Sequence, residues 1–148
     1  MEVVEQIVIF NCACNEFAFD IMKVQEIIRY KKITDVPQSD PFLLGVVNLR
    51  GSVLPVIDFL YMIKKQNSKL EKNKRIIIVE IEGNKVGVLV DSVREVLRVS
   101  EDSFEELISQ SKVNSISNTM IKLNDGERII SLINQTMLHD VLHGADLG

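Results

Sequence analysis

The chain has 148 residues, of which 46% are hydrophobic and 26% are charged, and its net charge is −4. This length fits one domain with its own hydrophobic core, and the excess of acidic residues argues against a nucleic-acid-binding surface. No apolar run reaches the ~18 residues that a membrane-spanning helix needs, because Asp58 interrupts the best candidate, Ser52 to Ile63.

The N-terminal sequence, MEVVEQIVIF, lacks the basic region of a signal peptide, so we expect a cytoplasmic protein. Gln6 to Ala13 and Phe17 to Asp20 are rich in apolar residues, and they predict a hairpin that turns at Cys14 to Glu16. The next segment, Met22 to Ile28, fits two structures. Its apolar spacing is that of a helical turn, whereas its Val and Ile content favours a strand.

The signals around Asp40 predict a short helical turn. Asp40 is a good N-cap, the proline that follows suits the first helical position, and Gly45 suits the position just after a helix. We therefore expect a single turn at Pro41 to Leu44 and a strand from Val46. That strand and the next one flank the sequence Arg50 to Ser52.

The second of these strands contains Pro55, which predicts a free edge or a bulge there. Asp58 is placed to cap a short helix, Phe59 to Lys64. The polar sequence Lys64 to Lys74 carries five basic residues among its six charges, and we expect it to be an exposed connection.

The second half of the chain contains two clear hairpins. Arg75 to Ile81 and Lys85 to Val90 predict two strands joined through Gly83 and Asn84. A further strand, Arg94 to Val99, is expected to follow. Another hairpin turns at Asn124 to Gly126.

The C-terminal residues predict a helix that is capped by Asn134 and stopped by Gly144. The whole pattern amounts to about nine or ten short strands and three small helices, which indicates a mainly-β fold. At this length the strands could form two small barrels or one sandwich.

Candidate catalytic groups are few. His139 and His143 are four residues apart on the predicted C-terminal helix and could hold zinc, as in a metal-dependent hydrolase. The residue after the first histidine is Asp140, whose shorter side chain would reach a metal-bound water poorly. Cys12 and Cys14 would share one face of a strand, where we expect small core residues. The sequence favours a binding module over an enzyme.

Three sequence blocks carry a resemblance to a known family. They are KVQEII at residues 23–28, GVVNLRGSVLPVIDF at 45–59 and VGVLVDSVREVL at 86–97. Their order, spacing and identity closely resemble the CheW family of chemotaxis coupling proteins, over roughly residues 5 to 142. The middle block is the most specific, because asparagine, leucine, arginine and glycine lie between two apolar strands.

The resemblance implies a fold and a function. The fold would be two intertwined five-stranded SH3-like β-barrels, with a few short helices and a C-terminal helix, in a single CheW-like domain of residues 1–148. The function would be that of a non-enzymatic, cytoplasmic adaptor without cofactors. It would couple the cytoplasmic tips of chemoreceptors to the regulatory domain of the histidine kinase CheA, in receptor arrays at the membrane.

The resemblance also implies roles for individual residues. Arg50 and Glu26 match family positions of the receptor-binding region. Four apolar residues match positions implicated in receptor or kinase contacts: Val24, Val93, Val96 and Leu97. Gly45 and Gly87 match family glycines, for which we expect a role in backbone geometry.

Arg50 itself has two interpretations. It could form a structural salt bridge with no binding role, but a surface pair contributes only ~0–1 kcal/mol. The hypothesis that the resemblance favours is a binding role, in which Glu26 orients the guanidinium beside apolar residues and a receptor helix packs there.

The alternative function for the whole chain is a scaffold for a kinase pathway other than flagellar chemotaxis.

Overall fold

A computed structural model describes residues 4–37, 39–106, 119–134, 138, 139 and 142. Strands make up 59% of these residues, so the mainly-β prediction is confirmed. The strands are β1 (Val4–Cys12), β2 (Asn15–Asp20), β3 (Val24–Arg29), β4 (Leu43–Leu49), β5 (Ser52–Asp58), β6 (Arg75–Ile81), β7 (Asn84–Val90), β8 (Ser92–Ser100), β9 (Phe104–Glu106), β10 (Thr119–Leu123) and β11 (Arg128–Leu132). The helix α1 is Phe59–Lys64, and 3₁₀ turns span Ile21–Lys23, Glu101–Ser103 and Asn124–Gly126.

The chain divides into two compact units. The first unit falls within Met1–Met22 and Arg94–Gly148, and the second is Lys23–Val93. The strands form two sheets, as the resemblance implies, with the orders β8-β1-β2-β11-β10-β9 and β3-β6-β7-β5-β4. The first sheet has six strands rather than the expected five, because the three-residue strand β9 pairs with β10.

The strands β1 and β2 of the first unit are buried on both faces, because consecutive residues are buried in each, Ile7 to Phe10 in β1 and Phe17 to Phe19 in β2. One core cluster of this unit consists of Ile7, Ile9, Ala18, Val99, Ile121 and Ile130. The hairpin β1–β2 turns at Ala13 and Cys14, both with positive φ. Cys14 is therefore exposed in the turn while Cys12 is buried, so the expectation that both cysteines lie in the core was wrong for Cys14.

One core cluster of the second unit lies on one face of the five-stranded sheet and consists of Val47, Leu54, Val56, Ile76, Ile78 and Leu89. The opposite face is also buried in part, at Ile57, Ile77, Val79 and Val88. The strand β5 lies between β4, to which it is antiparallel, and β7, to which it is parallel. The pairing with β7 begins at Val56, so Pro55 is paired with β4 but not with β7. This side of β5 is therefore a free edge at Pro55, as the proline predicts.

Helix α1 has the predicted bounds, because its capping signal is local. The Asp58 carboxylate accepts a hydrogen bond from the amide of Leu60 at 3.1 Å. It also accepts bonds from the amide of Ser68 at 2.7 Å and from its hydroxyl at 2.6 Å. Asp58 thus caps the helix, as predicted. Through Ser68 it also anchors the connection Lys64 to Lys74, most of which is exposed, as predicted.

The predicted helical turn at Pro41 to Leu44 was wrong. The amide of Leu43 donates to the carbonyl of Asp40 at 2.9 Å, which makes a turn, but β4 already begins at Leu43. Gly45 lies inside this strand with a φ of +148°, and a Cβ atom there would lie 2.1 Å from the carbonyl oxygen of Thr34. Gly45 is needed for the close approach of Thr34 and not for ending a helix.

The predicted C-terminal helix, from Asn134 to Gly144, lies largely outside the described residues. Within the described part, the amide of Leu138 donates to the carbonyl of Asn134 at 2.9 Å, and Leu138 is buried. None of the helices in the described ranges is both long enough and apolar enough to cross a membrane.

Candidate partner-binding site

Arg50 lies at the tip of the hairpin β4–β5, in a turn of two residues. Both turn residues have positive φ, +49° for Arg50 and +85° for Gly51. This is the backbone twist that two-residue hairpin turns favour. The side chain of Asn48 fixes the turn, since its Oδ1 accepts a hydrogen bond from the amide of Gly51 at 3.0 Å. The guanidinium therefore projects from a defined backbone.

Arg50 pairs with Glu26, as expected from the hypothesis that Glu26 orients the Arg50 guanidinium. Glu26 follows an irregularity in β3, where the register with β6 shifts between Val24 and Glu26. The Arg50 Nη2 donates a hydrogen bond to the Glu26 Oε2. The Arg50 side chain is 70% exposed and that of Glu26 is 32% exposed, so a partner can reach both.

The two strands that supply this pair are the opposite edges of the five-stranded sheet. Other contacts join the same edges. Thr34, which follows β3, exchanges two backbone hydrogen bonds with Val46 on β4, at 2.8 and 2.9 Å. The Lys31 ammonium donates to the carbonyl of Asn48. The ion pair thus lies at the end of a row of contacts that brings the two edges together.

The ion pair also sets the protonation of its two members. The hydrogen bond from Arg50 is the main cause that lowers the pKa of the Glu26 carboxyl below its ordinary value. Burial opposes it, and the charges of Arg50 and Lys85 add to the lowering. The same contact raises the pKa of Arg50. Both groups are therefore ionised at neutral pH, and the site presents a fixed guanidinium oriented by a carboxylate.

The four apolar site residues have different environments. Val24 lies half-buried on β3 opposite Val79 of β6, near Glu26 in the second unit. Val93, also in the second unit, is half-buried at the start of β8. Val96 is 48% exposed, whereas Leu97 packs against the core of the first unit. Leu97 is thus partly a structural residue.

The two family-matched glycines have different roles. Gly45 has a left-handed φ and a close backbone neighbour, as described above, so the expected role in backbone geometry agrees with its structure. At Gly87 the reason is space, since an added Cβ would lie 2.9 Å from the Ile76 Cγ2 and 3.3 Å from the Val56 Cγ2. Gly87 keeps room in the core for neighbouring side chains.

A charged cluster in the first unit was not predicted from the sequence. Arg128 donates to both carboxylate oxygens of Glu16, at 2.9 and 2.7 Å, and to Glu95 at 2.9 Å. A second arginine, Arg94, lies 3.6 Å from Glu16. The Arg128 hydrogen bonds lower the pKa of the Glu16 carboxyl. Glu16 and Arg128 are 112 positions apart, so no local pattern could join them.

The metal site considered at His139 and His143 cannot be assembled from the described residues. His139 is half-buried, and His143 lies outside the described part of the chain. Among the residues that are described, no three His, Cys, Asp or Glu side chains lie together in a way that could hold a metal ion.

Comparisons with known proteins show which family this chain resembles. The model of the CheW-like domain family matches residues 6–141. The chemotaxis protein CheW of Thermotoga maritima is 35% identical over 115 residues, which cover 78% of this chain and 75% of that protein. The chemotaxis protein CheW of Rhizobium meliloti is 34% identical over 96 residues, which cover 65% of this chain and 62% of that protein.

A solved structure extends the likeness to the fold. The crystal structure of the scaffolding protein TtCheW from Thermoanaerobacter tengcongensis has a TM-score of 0.80 and 33% identity, and the match covers 89% of this chain and 90% of that one. The sequence matches to several curated relatives are shorter, and this chain spans 62% and 59% of the CheW proteins of Rhizobium meliloti and Klebsiella aerogenes. With a family match over most of its length, the chain belongs to the CheW-like family.

Proposed function

We propose that this chain is a non-enzymatic adaptor that couples chemoreceptors to the histidine kinase CheA. Relatives at about one-third identity are named chemotaxis proteins, and the matching solved structure is named a scaffolding protein. The observation that carries the proposal is the exposed Arg50 guanidinium, held by Glu26 at the tip of a two-residue turn that the Asn48 side chain caps. Such a group suits recognition of a partner surface.

The proposed contact residues are Arg50, Glu26, Val24, Val93, Val96 and Leu97. The receptor tip would contact Arg50 and Glu26, and the apolar residues would serve receptor or kinase contacts. By binding both proteins, the adaptor would raise the effective concentration of the kinase beside the receptor and pass on a conformational bias. It would act in the cytoplasm, as a single domain recruited to receptor arrays at the membrane.

Binding of a receptor fragment tests the receptor-facing site. A fluorescently labelled cytoplasmic-tip fragment is titrated with the wild-type chain and with Arg50→Glu, and we expect the substitution to weaken binding by about tenfold or more, as for an interface anchor. Lys72→Glu is the matched control, because it makes the same charge change at an exposed residue of the same unit. Equal affinity of the wild type and a folded Arg50→Glu variant would contradict the site.

The kinase half of the proposal needs its own measurement. The regulatory domain of CheA is titrated with the chain in the same way, and the adaptor function requires that receptor fragment and kinase domain bind at the same time. If the chain binds neither and instead captures a different histidine kinase, the alternative scaffold function holds. A stoichiometric, tightly bound metal in the purified protein would contradict the non-enzymatic function.

A further inference from the structure

The connection between α1 and β6 carries a charge opposite to that of the rest of the chain. This basic connection, residues 64–75, contains six Lys and Arg and one Glu, a net charge of +5. The whole chain contains 17 Lys and Arg and 21 Asp and Glu, so the other 136 residues contain 11 against 20, a net charge of −9. The positive charge is therefore a local feature of one segment of the second unit.

Two of the six cations hold the end of the basic connection in place. The Lys74 ammonium lies 2.6 Å from the Asp91 carboxylate, and the Lys74 side chain is only 14% exposed. The Arg75 guanidinium donates to the backbone carbonyls of Lys72 and Asn73, both at 3.4 Å, and to that of Lys74 at 2.9 Å. The charges of Lys74 and Arg75 thus serve contacts within the protein.

The other four cations are lysines that face solvent. Lys64, Lys65, Lys69 and Lys72 are all exposed. The Lys65 ammonium lies over the Tyr61 ring, 5.4 Å from its centroid, and this contact does not neutralise its charge. Within the described ranges of the chain, none of the four lysines has an acidic side chain at ion-pair distance. Their charges are therefore available to a partner.

The backbone of the basic connection is anchored at two points. The buried Asp58 carboxylate accepts hydrogen bonds from the amide and the hydroxyl of Ser68. Further along, the amide of Lys74 donates to the carbonyl of Glu71 at 3.1 Å, which makes a turn. The exposed lysines between these points project from a backbone that is already held, so a partner that binds them loses less conformational entropy.

An apolar side chain lies among the exposed lysines. Leu70 is 47% exposed, and it directly follows Lys69 in the chain. A single exposed leucine on a surface needs no explanation, but this one lies in the middle of the basic connection. An apolar contact with cations on either side suits a ligand that combines carboxylates with a hydrophobic residue.

The charge of the rest of the chain decides which kind of anionic partner fits. An anionic bilayer or a nucleic-acid duplex extends its negative charge far beyond one short segment. Such a surface would also lie near parts of the chain that are acidic, and these would repel it. A short acidic segment of a protein can stay within the basic connection, because charges interact over only about 8 Å at physiological salt.

We propose that the basic connection is a docking surface for a short acidic segment of a partner protein. Carboxylates of the segment pair with the four exposed lysines, and one of its apolar side chains packs on Leu70. The surface contains none of the residues that the proposed function assigns to receptor or kinase contacts. The inference therefore goes beyond the proposed function and does not depend on it.

Three model peptides of about 12 residues test the surface directly. The acidic peptide has Glu residues around one central Leu, the second peptide has Gln in place of every Glu, and the third has Ala in place of the Leu. Amide chemical shifts of the full chain are followed during titration. We expect the acidic peptide to shift amides of residues 64–75 and to bind at least about tenfold more tightly than the Gln peptide. The Ala peptide should bind about threefold more weakly than the acidic peptide.

Substitutions in the basic connection separate the charge from the apolar contact. Lys72→Glu should weaken binding of the acidic peptide by about fivefold or more. Lys32→Glu is the matched control, because it makes the same charge change at an exposed lysine of the same unit outside the basic connection, and it should leave the affinity unchanged. In Leu70→Ser the acidic peptide and the Ala peptide should bind equally, because neither finds the apolar contact.

The occupant is tested with two other anionic probes, phosphatidylserine vesicles and a DNA duplex. Binding of either probe at a lower concentration than the acidic peptide would overturn a protein segment as the occupant. Equal affinities for the Glu and Gln peptides, shifts confined to residues outside the basic connection, or an unchanged affinity in Lys72→Glu would overturn the surface itself.

The same variants distinguish this surface from the proposed receptor-facing site. Lys72→Glu should weaken the acidic peptide and leave the receptor fragment unaffected, and Arg50→Glu should do the reverse. Loss of receptor-fragment binding in Lys72→Glu would overturn a separate docking surface. Failure of the wild-type chain to bind both the receptor fragment and the kinase domain would overturn the proposed function, and a basic connection that still selected the acidic peptide would stand.

Discussion

Arg50 and Glu26 join two strands that lie at opposite edges of one sheet. The edges are β4 and β3 of the second unit, and the Thr34–Val46 bridge and the Lys31–Asn48 hydrogen bond join them as well. Because the backbone bridge supports the same junction, the exposed ion pair is not needed to hold it. A surface ion pair contributes ~0–1 kcal/mol, so Arg50 variants are expected to fold and to report on binding.

The first prediction concerns the protonation of Glu26. In Arg50→Ala, the carboxyl loses the hydrogen bond and the nearby charge that lower its pKa, so the pKa should rise toward its ordinary value of 4.5. A carboxyl-carbon NMR titration measures it. Arg29→Ala is the control, because it removes an exposed arginine from the same strand. An unchanged Glu26 pKa in Arg50→Ala would show that the pair does not persist in solution.

The second prediction compares two glycines of the same hairpin. A methyl group at Gly45 would lie 2.1 Å from the carbonyl oxygen of Thr34, whereas one at Gly51 would meet nothing within 4 Å. We expect Gly45→Ala to lower the free energy of unfolding by about 3 kcal/mol or more. The added methyl group would displace Thr34 and so disrupt its backbone bridge to Val46. Gly51→Ala should cost about 1–2 kcal/mol, the penalty of a left-handed φ. Urea denaturation measures both.

An equal loss of stability in these two variants would mean that the Thr34 segment moves aside at little cost. Chemical shifts of Thr34 and Val46 distinguish this outcome, since a displaced segment changes them in Gly45→Ala and not in Gly51→Ala.

Elements with local signals could be predicted from the sequence. The cap Asp58 and the helix Phe59–Lys64 are adjacent in the chain, and both have the predicted positions. The strand Arg75–Ile81 has the predicted bounds, and the turn of the last hairpin is at Asn124–Gly126. In each of these, neighbouring residues supply both the hydrogen bonds and the apolar alternation.

Features that depend on distant residues could not be predicted. The capping residues around Pro41 favour a helix locally. The glycine at position 45 is instead needed because Thr34 lies too close for a side chain, and a local pattern cannot show this contact. Glu26 and Arg50 are 24 positions apart, and their contact requires the sheet edges to meet. The family resemblance implied that pair, whereas spacing alone did not. The Glu16–Arg128 pair had no signal of either kind.

The third prediction concerns Asp58, which is fully buried and accepts hydrogen bonds from Leu60 and from the amide and hydroxyl of Ser68. Asp58→Ala leaves these donors without their acceptor, and we expect a loss of about 2–4 kcal/mol in the free energy of unfolding. Ser68→Ala removes one of the bonds and should cost about 1 kcal/mol. Hydrogen exchange at the Ser68 amide should accelerate strongly in Asp58→Ala. Unchanged exchange would contradict the anchoring role.

The fourth prediction is a pH dependence of stability from Glu16. Its pKa is lowered in the folded state, chiefly by the hydrogen bonds from Arg128. A depressed folded-state pKa stabilises the protein above the unfolded-state value, near 4.5, and this contribution is lost as the pH falls through the folded-state value. A double-mutant cycle of Glu16→Gln and Arg128→Met should give a coupling of about 1–2 kcal/mol near pH 7. The coupling should shrink toward zero near pH 2. A coupling of equal size at both pH values would contradict the assignment.

The fifth prediction tests the proposed single domain. The boundary between the two units falls within β8 and within the 3₁₀ turn Ile21–Lys23, so regular elements pass from one unit into the other. We therefore expect one cooperative unfolding transition. Ile121→Val and Ile78→Val, in the buried cores of the two units, should each lower the free energy of unfolding by about 1 kcal/mol. Each should shift the midpoint for amide signals of both units equally, and separate midpoints would mean that the units unfold independently.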